Sequence, residues 1–338
     1  MDSHRVTVES GIRDFWSWWT TAQHRVLHAI EVDERFSDEL VRDISEHVDA
    51  IGDLDLDWEL APGKTSRHAF CLSPKGDPEA RLVTELWRHN GPSPDANWEY
   101  FAARQPGRGS KLAIYGVTID RNELMVSYEI DQARERIDAT YFHPAFETLS
   151  DDQRLTALYL LFDGLLGEDG VERWLGRIKG ATDPSADAVP FARFEAALAE
   201  LERGATGERF VILKGQTESG APFFMSCNRA LKRIDHILHT MHVSVDLAIL
   251  DQNLEGLTTP ADAVVLDRLE DELVDGLAGI AVYFGRETRP GHRLIHLYAP
   301  EDSAAQTIIE RWIARRPERR PQVEWIRDPR WAFVQHFG

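Results

Sequence analysis

Cysteine is almost missing from this chain. Cys71 and Cys227 are the only two in 338 residues, too few for a disulfide framework, so stability must come from buried apolar surface, and the usage suits a reducing compartment. Long apolar runs are absent as well. No stretch approaches the roughly 18 residues that a membrane-spanning helix needs, and the opening MDSHRVTVESGIRDFW has no apolar signal core; a cytoplasmic location is expected. Neither GxxxxGK[ST] nor GxGxxG occurs, which leaves nucleotide binding without a phosphate-cradling loop. Basic charge is in deficit, with 38 Lys and Arg against 57 Asp and Glu and a formal charge of −19. That balance repels phosphate backbones and anionic lipid alike, so the expected partner is another protein rather than nucleic acid or membrane.

What the chain does have is a normal globular composition, 43% hydrophobic and 28% charged, and enough length for two domains. Near its start FWSWW packs Phe15, Trp16, Trp18 and Trp19 into five positions. At about 100° per residue, Phe15, Trp18, Trp19, Ala22, Val26 and Ala29 fall on one helical stripe and read as core. Trp16 falls beside that stripe, near Leu27, and is expected to be free to dock a partner or wall a pocket. A second helix is predicted from Ser37, as N-cap, to Ala50.

A two-strand, helix, strand order then runs through 54–106 and returns through 123–178, half of a ferredoxin-like unit each time. GATDPSADAVP (180–190) is the best linker, and 191–204 reads as a connecting helix. Strands are predicted at 209–216, 221–228, 242–250, 280–287, 293–300 and 323–328, with helices at 263–279 and 304–316. DGLLG followed by WLGR (163–177) matches DGLAG followed by YFGR (275–286), which suggests duplicated modules whose glycines end helices. The predicted fold is α+β, with two domains of antiparallel sheet carrying helices on one face. An N-terminal domain spans 1–185, a linker helix 186–205 and a ferredoxin-like C-terminal domain 206–338.

The ordered set LEGLTTP (254–260), LEDELVDGL (269–277), YFGR (283–286), RLIHLYAP (293–300) and DPRW (328–331) resembles the bacterial domain of unknown function 695 family (DUF695). It is similar also to the related regulator of ribonuclease E activity B. The resemblance covers roughly 206–338 and implies a ferredoxin-like α+β domain in an acidic protein that binds another protein. The N-terminal half and the histidine-bearing segment 236–242 lie outside the pattern.

Candidate chemistry is sparse. DHILHTMH places His236, His239 and His242 three residues apart, the spacing of an alternative metal site, although solvated or hydrogen-bonded histidines satisfy it equally. His143 in YFHPAF ends a strand before a proline, where a base could face a cleft. Glu270, Asp271, Glu272 and Asp275, like Glu168, Asp169 and Glu172, read as wet helix faces. Arg104, Arg177 and Arg286 stand near the ends of equivalent strands and could bind an anion or pair internally. No cofactor is expected. The reading that results is a non-enzymatic protein-binding or regulatory protein presenting Glu270, Asp271, Glu272 and Asp275. A metal- or histidine-dependent hydrolase and a small-molecule sensor with an interdomain pocket are the rivals.

Overall fold

In the computed structural model, residues 2–33, 35–107, 109–217 and 220–337 are described, with side chains from residue 7 onward. The chain divides into one compact unit of residues 1–128 and 139–195 and a second of 129–138 and 196–338. No helix of the described residues is long and apolar enough to cross a membrane.

The first unit begins with α1 (Asp2–Glu31) and α2 (Asp38–Asp49), the latter capped as expected by Ser37, whose Oγ accepts from Leu40 N at 3.2 Å. Strands β1 (Asp57–Pro62) and β2 (His68–Ser73) pair antiparallel. Helix α3 (Pro78–His89), capped by Asp77, then crosses over to β3 (Trp98–Phe101), which therefore lies parallel to β2. Phe15, Trp19, Phe70, Trp87 and Trp98 are buried together as the core of this module. Trp16 joins them, contrary to expectation. Its indole stacks on Trp87 at 4.6 Å and donates Nε1–H to Trp87 O at 2.8 Å. Gly91 makes the room, since a Cβ there would sit 2.5 Å from the Trp16 ring. Trp18, expected inside, is half-buried against His47 instead.

A small hairpin of β4 (Lys111–Ile114) and β5 (Val117–Asp120) follows. Next come β6 (Met125–Asp131), β7 (Arg136–Phe142), α4 (Asp151–Trp174), β8 (Leu175–Ala181) and the short β9 (Val189–Pro190) in a sheet of order β8-β7-β6-β9. The helical path of α4 breaks at Gly167, where the first helix is predicted to end: the residue has φ 71° and ψ 162°, and a Cβ there would lie 2.7 Å from Arg104 O, so only glycine fits the kink. A second helical stretch then runs on to Trp174, so the strand expected from 171 begins only at Leu175.

Helix α5 (Phe191–Gly204) leads into the second unit. There β10 (Phe210–Gln216), β11 (Pro222–Asn228), β12 (Met241–Ala248), α6 (Pro260–Gly276), β13 (Val282–Arg289), β14 (His292–Ala299), α7 (Ala305–Ala314), β15 (Gln322–Arg327) and α8 (Ala332–His336) build a six-stranded sheet. Its order is β10-β11-β13-β14-β12-β15, antiparallel at every step. The architecture is thus mixed α and β with several antiparallel sheets, as the periodicity predicts. Leu266, Leu269, Leu273 and Leu277 of α6, with Ile309 and Trp312 of α7, cover one face over Val243, Val245, Ile295 and Leu297. The opposite face carries α8, through Phe333, Val334 and Phe337. Helix α6 starts three residues earlier than predicted because Thr259 caps it, its Oγ1 accepting from Asp262 N at 3.4 Å, and Pro260 suits the first turn. Removing that cap with Thr259→Ala should lower stability by about 1 kcal/mol in urea titration.

Candidate functional site

Alternation along β12 turns His242, Ser244 and Asp246 to the face opposite α6 and α7. The antiparallel register sets Tyr298, His296 and Leu294 of β14 and Ile326, Glu324 and Gln322 of β15 directly across from them. A groove of about 540 Å³ lies over this patch. Its walls add Glu287 and Arg289 from β13, Arg327 and Asp328 from the end of β15, and Phe333 from α8.

At its floor His242 Nε2 and His296 Nδ1 stand 3.2 Å apart. The ring planes differ by 20° with centroids 5.3 Å apart, so the rings meet nearly edge to edge and share one N–H. Phe333 covers both, at 4.0 Å from His242 and 4.5 Å from His296. Burial pushes His242 down to about 4, against the opposing pull of Asp328, and His296 down to about 3. Both imidazoles are therefore neutral near pH 7, suited to hydrogen bonding and poorly matched to proton transfer at that pH. His296 Nε2 is buried and has no hydrogen-bond partner among the described residues.

Asp328 fixes the cover. Its carboxylate accepts from Ala332 N at 2.8 Å, Phe333 N at 3.1 Å and Tyr298 Oη at 2.7 Å. Trp331, at φ 54°, stacks on Tyr298 and donates Nε1–H to His239 O. Beneath, Cys227 is buried and its thiol is raised to about 11 by burial, which makes it inert as a nucleophile.

The three histidines expected as an alternative metal site are split. His242 faces His296 across the sheet, whereas His236 stacks on Trp331 and meets His239 edge-on at 5.3 Å. Among the described residues no three His, Cys, Asp or Glu side chains stand where they could hold a metal ion together.

The acidic set on α6 is also divided. Asp271, Glu272 and Asp275 are exposed, Glu272 pairing with Arg316 at 2.5 Å. Glu270 is buried; its carboxylate accepts from Tyr283 Oη, and Arg286 and Arg293 each approach it at 3.4 Å. It cannot present itself to a partner. Arg286 is committed internally, to Asp267 at 2.7 Å as well.

In the first unit His143 is 2% exposed rather than cleft-facing. It caps the 3-10 turn Pro144–Thr148, with Nδ1 3.1 Å from Ala145 N and Nε2 3.2 Å from Asp120 N. Burial depresses its pKa and keeps it neutral, and one tautomer can accept from only one of those amides. Arg104 pairs with Glu59 at 3.0 Å, and Arg177 lies exposed on β8. Of Glu168 and Asp169, read as a wet face, Glu168 is internal and Asp169 stays partly exposed. Glu168 is buried and accepts from Ser73 Oγ and Arg104 N, while Asp169 pairs with Arg81. Sequence reasoning overlooked Asp163 beside them, which burial and the Glu168 charge raise to about 6.

It overlooked His296 too. A signal existed, because RLIHLYAP alternates and HVSVD alternates, so each histidine faces one side of its strand. Which strands adjoin is a matter of topology.

A family model described as a family of unknown function, DUF695, matches residues 217–337, the part that contains the groove. No curated protein and no solved structure matches the chain.

Proposed function

We propose that the protein acts by binding rather than catalysis, taking an extended segment of a protein partner into the groove beside β15. The observation that carries this is the position of the groove. It is open, of ligand-site volume, and bordered by a terminal strand whose outer edge pairs with no other strand among the described residues. A peptide laid along that edge gains main-chain hydrogen bonds from β15 and sets alternate side chains over Ile326, Glu324 and the histidine pair. Arg289 on one hand and Glu287 and Glu324 on the other set both signs of charge in the groove's walls.

We read the β12-α6-β13-β14-α7-β15 succession, with strand order β13-β14-β12-β15, as a ferredoxin-like module extended by β10 and β11. The likeness to the regulator of ribonuclease E activity B, an acidic protein that binds another protein, agrees with a partner rather than a substrate. A second surface, favoured by the exposure of Asp271 and Asp275, is the outer side of α6.

Affinity capture from the native cell with mass-spectrometric identification separates the two. Ile326→Asp, at a side chain 46% exposed, should remove the captured partner while Asp271→Lys with Asp275→Lys leaves it. The reverse pattern would move the site to α6, and capture unaffected by either set would end the binding proposal.

A further inference from the structure

The opposite end of the same sheet is built differently. Strand β10 is terminal, and among the described residues no strand pairs with its outer edge. Val211 and Leu213 pack inward against Met225, Cys227 and Phe284, so alternation places Phe210 and Ile212 on the other face, 51% and 68% exposed. Phe210 leans on Tyr283 at 5.9 Å.

Sheet proteins normally blunt such an edge with charge, proline, a bulge or shortness. Here Phe210 to Leu213 are four uncharged apolar residues in succession, the strand contains no proline, and its pairing with β11 runs without a bulge from Phe210 to Gln216. Lys214 is the strand's one charge, and an edge with four apolar residues ahead of it is one that is covered in use.

We infer that β10 is a homodimer interface, pairing antiparallel with β10 of a second copy of this chain about Ile212. The strand is self-complementary in that register, which is why the occupant is a copy and not a foreign strand. Ile212 meets its counterpart, Val211 meets the copy's Leu213, and Phe210 meets the copy's Lys214, an ammonium that already sits over the Phe224 ring at 5.7 Å. Arg209 falls opposite glycine and Glu208 opposite Gln216. No like charges face each other, although each chain carries a formal −19. The contact is isologous and closes on itself, the commonest form of soluble assembly. It uses the edge away from the groove and stands or falls apart from the partner reading.

Sedimentation equilibrium of the full chain should give twice the 38.4 kDa chain mass. Ile212→Lys, which places two ammonium groups face to face at an exposed position, should return it to one chain mass with an unchanged circular-dichroism spectrum and melting temperature. Ile212→Cys should lock the dimer under mild oxidation. Ile326→Cys on β15 should not, and Cys71 and Cys227 are buried and give no background. A monomeric wild type at the highest soluble concentration overturns the inference. So does a dimer that Ile212→Lys leaves intact and Ile212→Cys fails to lock.

Discussion

Acidification from pH 7 to about pH 5 is expected to destabilise the second unit by about 2 kcal/mol for each of His242 and His296. Each has its folded pKa driven by burial from the ordinary 6.5, to about 4 and about 3 respectively. A histidine of this kind takes up its proton more readily when unfolded. Its stabilising contribution is present above the unfolded value of 6.5 and is lost as pH falls through the window toward the folded value. His239, lowered to about 4 by burial and the neighbouring His236, adds to the loss. The surroundings offer limited relief. Asp328 favours the charged form of His242, but its oxygens are occupied by Ala332, Phe333 and Tyr298, while Arg289 disfavours the charge on His296. Glu287, raised by burial, takes up its proton more readily in the fold than in the unfolded chain and works in the opposite direction. Since whole domains are stable by only about 5–15 kcal/mol, unfolding should begin well above the range where carboxylates titrate. Urea midpoints at a series of pH values measure this, and His296→Gln should flatten the slope by about one proton. A stability flat between pH 7 and 5 would refute the buried neutral pair.

The elements of this fold were legible wherever periodicity and caps agreed. Ser37 announces a helix start with its own oxygen, and the strands of 209–328 alternate cleanly enough to be placed within about three residues; the Thr259 cap goes unread in the periodicity of 263–279, which is why α6 is predicted three residues late. What failed was the assignment of faces. Trp16 lies outside a 100° stripe drawn on α1, but α3 approaches from that side and Trp87 gives it a stacking partner, so the buried arc is wider than one stripe. Glu270 follows Leu266 and Leu269 at inward spacing, and the pattern Leu266, Leu269, Glu270, Leu273 already places it inside. Its carboxylate is tolerable there only because Arg286 and Arg293 arrive from strands whose adjacency the sequence does not state. The groove is the extreme case. His242 and His296 are 54 residues apart, and only the strand order makes them neighbours. Long-range pairing places the site, and local propensity carries no record of it.

The same dependence on distant partners makes Asp262 the residue whose loss should cost most in the second unit. It sits in the first turn of α6 at 6% exposure and receives both Nη1 and Nη2 of Arg319, at 3.0 and 2.7 Å, together with Leu250 N at 3.1 Å. Burial pushes its pKa up, but these hydrogen bonds and the guanidinium charge outweigh that and hold the carboxyl below its ordinary range. Arg319 is 4% exposed and otherwise donates to Ala248 O, at 3.3 Å. Asp262→Ala would leave a guanidinium buried without this counter-charge, and a loss of about 3–5 kcal/mol is expected. Asp262→Leu combined with Arg319→Met removes both charges while keeping volume, and should be more stable than Asp262→Ala alone. Urea titration of the variants decides it, and an additive double variant would mean that the two side chains are not coupled. Because Arg319 closes the 3-10 turn Pro317–Arg319 that feeds β15, the pair also fixes where that strand enters the sheet. Losing it should loosen the wall of the groove before the core of α6 and α7 gives way, seen as faster amide exchange in residues 322–327 than in 293–299.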